Sequence, residues 1–103
     1  MPRPLGLTSL QILASVRDGA RYGLDIVAST GLSSGTVYPT VARLKRAGLL
    51  RSRWEDQAIA DREGRPRRRY HELTGAGLRE LEQGLERVRG IASLAAQPLG
   101  QTR

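Results

Sequence analysis

Apolar positions in the first half of the chain recur at helical spacing in three blocks. Leu10, Ile12, Leu13 and Val16 form the first, and they predict a helix with one buried face. Thr8 is its expected N-cap, Gln11 the capping-box partner and Leu7 with Ile12 the hydrophobic staple, while Asp18-Gly19 stops it. Leu24, Ile26, Val27 and Ala28 place a second helix over Tyr22 to Thr30, closed by Gly31 as a left-handed cap. Val37, Val41 and Leu44 then make a buried stripe on a third helix, 33–47, with Ser33 as N-cap and Gly48 as terminator. Thr36, Thr40, Arg43 and Lys45 are expected largely outside that stripe. Pro39 removes one helical hydrogen bond, a loss best tolerated in the second turn, where it falls.

After Gly48 the period changes. Leu50 to Asp56 alternates Arg51, Arg53 and Trp54 as a short strand would. Gln57 to Gly64 is polar and reads as a loop, Gly64-Arg65-Pro66 as a turn, and Arg67 to Leu73 as a second strand anchored by Tyr70 and Leu73. A last helix opens at Thr74, with Leu73 and Leu78 as its staple. Leu78, Leu81, Leu85, Val88, Ala92 and Ala95 alternate spacings of three and four, which is a heptad seam that Ile91 and Leu94 widen. Gly84 and Gly90 weaken this helix by roughly 1 kcal/mol each relative to Ala, so it needs contacts from the body or a partner.

These elements predict a mainly α chain with a small β-hairpin: a winged helix-turn-helix followed by a C-terminal dimerisation helix. The expected division is an arm at 1–7, a winged helix-turn-helix DNA-binding domain at 8–73, a dimerisation helix at 74–97 and a tail at 98–103. The short Gly31-Leu32-Ser33 turn fits a helix-turn-helix, although helical bundles contain such turns too. The wing that follows favours the former.

Composition narrows the function. The 103 residues carry a formal net charge of +7, and a surplus of this size attracts polyanions. Ten basic residues against four acidic ones lie between Arg43 and Arg69, so most of the surplus falls on the third helix and the wing. Cysteine is absent and there is one histidine, which leaves no thiol chemistry, no Cys-based zinc site and no expected cofactor or metal. No apolar run approaches the ~18 residues of a membrane span, and no secretory signal is visible. The expectation is an intracellular protein with no membrane partner.

The run Leu32-Ser33-Ser34-Gly35-Thr36-Val37-Tyr38-Pro39 resembles the recognition-helix start of the PadR family of bacterial transcriptional regulators. The resemblance continues through Leu44, Ala47-Gly48-Leu49-Leu50 and Arg53-Trp54-Glu55. It resumes at Gly64-Arg65-Pro66-Arg67-Arg68, Tyr70 and Leu73-Thr74-Gly75-Ala76-Gly77, and Tyr22-Gly23 also fits. It spans about residues 7–82. It implies a homodimeric winged helix that binds operator DNA and usually represses transcription, in the short form with a single C-terminal helix. Family members carry Pro where this chain has Pro39. His71 departs from the pattern, standing where a second aromatic is common.

The expected chemistry is double-stranded DNA recognition. Ser34, Gly35 and Thr36 offer free N–H groups and small hydroxyls to a phosphate at a helix N-terminus. Tyr38, Thr40 and Arg43 are expected at the major groove or its flanking phosphates, with a surface ion pair as the other use of Arg43. Arg65, Arg67 and Arg68 on the wing would meet phosphates or the minor groove, and strand alternation turns Arg67 and Arg68 to opposite faces. Leu78, Leu81, Leu85, Val88, Ile91 and Ala92 are the expected homodimer contacts. Trp54 is expected to pack between wing and helix, or else to wall a small-molecule effector site near the dimer interface. His71 reads as a satisfied strand histidine; without a nucleophile or carboxylate pair beside it, catalysis is not expected. The leading function is a homodimeric repressor on an inverted-repeat operator, in the cytoplasm at the bacterial nucleoid. The alternative is a winged-helix protein-interaction or assembly module that does not read DNA, against which the basic wing argues, because interface cores are poor in charge.

Overall fold

The structure, a computed structural model, describes residues 4–96. The first residues of the expected arm and the whole 98–103 tail lie outside the described residues. The order is α1 (Leu7–Arg17), α2 (Gly23–Thr30), α3 (Ser34–Arg46), β1 (Leu50–Trp54), α4 (Gln57–Glu63), β2 (Arg69–Leu73) and α5 (Gly75–Ala95). This is the expected winged helix-turn-helix with a C-terminal helix. α1 lies at the centre, packed on α2, α3 and α5. Ile12, Leu13, Ile26, Val37 and Leu81 are fully enclosed there, joined by Leu10, Val41, Leu44, Leu49 and Leu50.

The start of α1 differs from expectation. The helix begins at Leu7 with Gly6 as its N-cap and no side-chain cap. Thr8 is therefore inside the first turn, and Leu7 is exposed rather than stapled. α2 ends on Gly31 in the left-handed region, φ 73°, as its sequence requires. Ser33 occupies the N-cap of α3, but its hydroxyl donates to Thr36 Oγ1 rather than accepting from a backbone N–H.

β1 and β2 pair antiparallel in a register running from Leu50↔Leu73 to Trp54↔Arg69. Tyr22 bridges Tyr70, and the His71 N–H donates to the Arg21 carbonyl at 2.7 Å, so the segment before α2 lies along β2 as a rudimentary third strand. The expected loop at 57–64 is instead the helix α4. The Asp56 carboxylate caps it by accepting from the Ala58 N–H, and Gly64 closes it in the left-handed region. Only Ala60 of this helix is buried, so it has no apolar stripe to announce it.

The seam on α5 divides. Its first half is consumed by the chain's own core: Leu81 is completely buried, and Leu85 and Val88 pack against the cluster around α1. Leu81 is thus a core contact of one protomer, not the open dimer face expected of it, while Leu85 and Val88 are half-buried against the core. Gly84 makes this packing possible, because a Cβ there would overlap the Leu10 side chain. It is a close-approach residue rather than a weak point. Leu78 is at the margin, while every described residue after Val88 is exposed, including Ile91, Ala92 and Leu94.

Candidate nucleic-acid interface

α3 turns Val37, Thr40, Val41 and Leu44 into the core, and this fixes what it presents outward. Ser34, Gly35, Tyr38, Pro39, Arg43 and Arg46 are exposed, and Lys45 flanks them on the side of the wing. Thr40, expected at the groove, is only 3% exposed, and its hydroxyl donates to the Thr36 carbonyl at 2.7 Å. It belongs to the buried stripe and has no free donor for DNA. Thr36 is half-buried; its backbone N–H, expected to be free, donates to the Ser33 carbonyl at 3.0 Å, and its Oγ1 accepts from the Ser33 hydroxyl. Pro39 sits on the exposed face, so the hydrogen bond it deletes would have run to a carbonyl, that of Gly35, also on the open side.

Tyr38 is held in place by a glycine. A Cβ on Gly23 would run into the Tyr38 ring, so the start of α2 leaves space for the phenol to lie against the backbone. Tyr38 remains 48% exposed and forms one wall of a cleft between α3 and the wing. The cleft has a volume of about 600 Å³, and Tyr22, Lys45, Trp54, Arg67 and His71 are among its lining residues. Trp54 is half-exposed on this cleft rather than packed between wing and helix. It stands at the end of the hairpin farthest from α5, away from the helix on which a dimer-interface effector site was expected.

The wing is organised by one carboxylate. Glu55 is 2% exposed and takes four donors. Both terminal nitrogens of Arg65 donate to it, at 2.7 and 2.9 Å, the Tyr70 hydroxyl at 2.7 Å and the Arg68 backbone N–H at 3.3 Å. The Arg65 bonds foremost, then Tyr70, hold its pKa down at about 2 against the cost of burial. Arg65, expected on a phosphate, is therefore committed to the wing's interior. Sequence reasoning did not find Glu55; an acidic residue ending an apolar-flanked strand beside an arginine turn was the available signal.

Four other wing arginines, and Arg21 before α2, lie over aromatic rings, while Arg51 pairs with Glu72. Arg68 lies over Tyr22 at 4.0 Å, Arg21 and Arg53 over Tyr70, and Arg67 and Arg69 over Trp54. Tyr22 and Tyr70 meet edge to face at 6.1 Å. Arg67 and Arg68 go to different aromatic partners, but they precede β2, which begins at Arg69 rather than at Arg67, and both line the same cleft, so the alternation expected of them does not apply. Arg69 and Arg46 were not singled out from the sequence, although Arg46 lies opposite the Val37–Val41–Leu44 stripe on a helical projection. His71 is half-buried with Nδ1 on the Ser52 hydroxyl at 2.8 Å, and burial, then Arg69 and Lys45, push its pKa below the usual value. Among the described residues no cluster of His, Asp and Glu has metal-site geometry, and no helix is long and apolar enough to cross a membrane.

The family model for the PadR-like family of transcriptional regulators matches residues 12–83. A PadR family transcription regulator from Clostridium difficile R20291 is similar over 92% of this chain and 100% of its own, with TM-score 0.79 and 25% identity. BpsR of Bordetella bronchiseptica, whose DNA binding is regulated by 6-hydroxynicotinic acid, is similar over 100% of this chain and 72% of its own, with TM-score 0.73 and 23% identity. A PadR-like transcription factor from Bacteroides fragilis covers 87% of each chain at TM-score 0.73 and 24% identity. The last two share the fold. No curated protein matches the chain at a significant level.

Proposed function

The chain belongs to the PadR-like family of transcriptional regulators, and we propose that it acts as a homodimeric repressor of an inverted-repeat operator. In this reading 8–73 is the DNA-binding domain and 74–97 the dimerisation helix. α3 enters the major groove with Ser34, Gly35, Tyr38, Arg43 and Arg46 outward, and the wing follows the adjacent backbone with Arg67 and Arg68. The observation that carries the reading is the exposed face of α3 flanked by a cleft with cationic and aromatic walls.

The dimer part of the proposal rests on apolar surface without cover. Ile91 and Leu94 are 63% and 71% exposed on the far half of α5. A groove of about 290 Å³ beside them runs between Leu5, Leu7 and Leu10 on one side and Val88 and Ile91 on the other. A second α5 packed there would supply the two-fold axis that spaces two recognition helices about one helical turn apart. A small-molecule effector, if bound at Trp54, would enter the cleft between α3 and the wing. A bacterial cytoplasm, at the nucleoid, is the compartment this function implies.

Selection of bound duplexes from a random pool tests the proposal. Enrichment of a dyad-symmetric site supports it. Recovery of no preferred sequence, with a stable complex formed by another protein instead, favours the protein-interaction reading.

A further inference from the structure

At the end of the hairpin away from α5 the wing holds its arginines in two ways. Arg65 turns both terminal nitrogens onto Glu55. Arg67 and Arg69 are two residues apart, and the guanidinium carbon of each lies 4.9 Å from the Trp54 ring centroid. Among the described residues neither makes a salt bridge. A guanidinium that stacks on a ring makes the contact through its π face and keeps the in-plane N–H donors at its rim available.

The one carboxylate close by, Glu55, is buried and bonded to Arg65. Lys45, Arg65, Arg67, Arg68 and Arg69 line the cleft, and no carboxylate does. Two cations gathered on one indole repel each other unless an anion lies between or beside them. Lys45 reaches the same space from α3, so the cleft gathers cations between α3 and the wing.

We propose that Trp54 is a positioning residue that presents Arg67 and Arg69 as a pair to one backbone phosphodiester of a DNA strand. This rests on the DNA-binding reading above. The indole narrows the rotamers of both side chains before DNA arrives and keeps their planar donors fixed for two-point contact with phosphate oxygens. The site reads no base, so it strengthens binding to any duplex. It gives Trp54 a use that neither the core nor a dimer contact supplies.

The test measures affinity for a random-sequence duplex across a salt series, with the parent protein, Trp54→Leu, Trp54→Phe and the double variant Arg67→Lys with Arg69→Lys. Trp54→Leu is expected to weaken binding about tenfold through loss of two ring contacts, and to flatten the salt slope by about two per dimer. Trp54→Phe restores most of the loss. The double Lys variant keeps the charge and the indole yet loses the planar donors, and is expected to bind about tenfold more weakly as well. It also stands in for Trp54→Leu should that variant fail to melt cooperatively. Parent-like affinity and slope in Trp54→Leu, or parent-like affinity in the double Lys variant, overturns the proposal alone. A parent protein that binds no duplex overturns the DNA-binding reading and this inference together.

Discussion

Arg65 grips Glu55 with both terminal nitrogens, at 2.7 and 2.9 Å, across the ten residues that separate them in sequence. The pair closes the base of α4 and makes the wing a folded lobe. Glu55 has its pKa depressed to about 2, so its stabilisation is present above the ordinary carboxylate range and is lost as pH falls toward 2. Glu55→Gln is expected to unfold at lower urea than the parent at neutral pH, with the two converging in acid. Urea titrations at several pH values check this; parallel curves would contradict the assignment.

Two glycines of α5 make opposite predictions. Gly84→Val drives a side chain into buried Leu10 and is expected to cost about 1–3 kcal/mol through overpacking. Gly90 faces open space, so Gly90→Ala is expected to gain about 0.5–1 kcal/mol from helix propensity. Denaturant unfolding of both variants measures the difference.

The divided seam separates folding from assembly. Leu81→Ala is expected to destabilise the protomer by about 2–5 kcal/mol. Ile91→Lys with Leu94→Lys is expected to leave the helical circular dichroism signal of the body intact and yield monomers in sedimentation velocity. Dimers that survive this double change would move the interface elsewhere.

Much of the fold was legible because its signals are local. The Val37–Val41–Leu44 stripe, Gly31 and the change to alternation after Leu49 each act within a few residues. α4 was missed because a seven-residue helix with one buried alanine carries no period, leaving only its Asp56 and Gly64 ends as signals. Thr40 was misplaced because a polar side chain was assumed to face water, whereas its hydroxyl is satisfied by its own helix. The α5 seam was real, but a period cannot say whether its partner is α1 of the same chain or a second copy. The site was legible as a basic region. How its arginines divide between Glu55, Tyr22 and Trp54 depends on contacts across the hairpin.

Tyr38 is the exposed aromatic of α3, seated on Gly23. Tyr38→Ala is expected to cost about 1–3 kcal/mol on a selected operator, as a base contact would, and much less on random duplex. Gly23→Ala, which displaces the ring, is expected to follow it in part. Thr40→Val, inside the core, is expected to leave the ratio of specific to random affinity unchanged. Fluorescence anisotropy with both duplexes measures all three.

The central claim is that this chain reads DNA sequence, and the most direct measurement is its affinity for the enriched dyad site against a scrambled duplex of equal length and composition, in the same physiological salt. The account predicts a preference of about a thousandfold or more, with protection of two patches on one face of the duplex. Equal affinity for the two duplexes would contradict it.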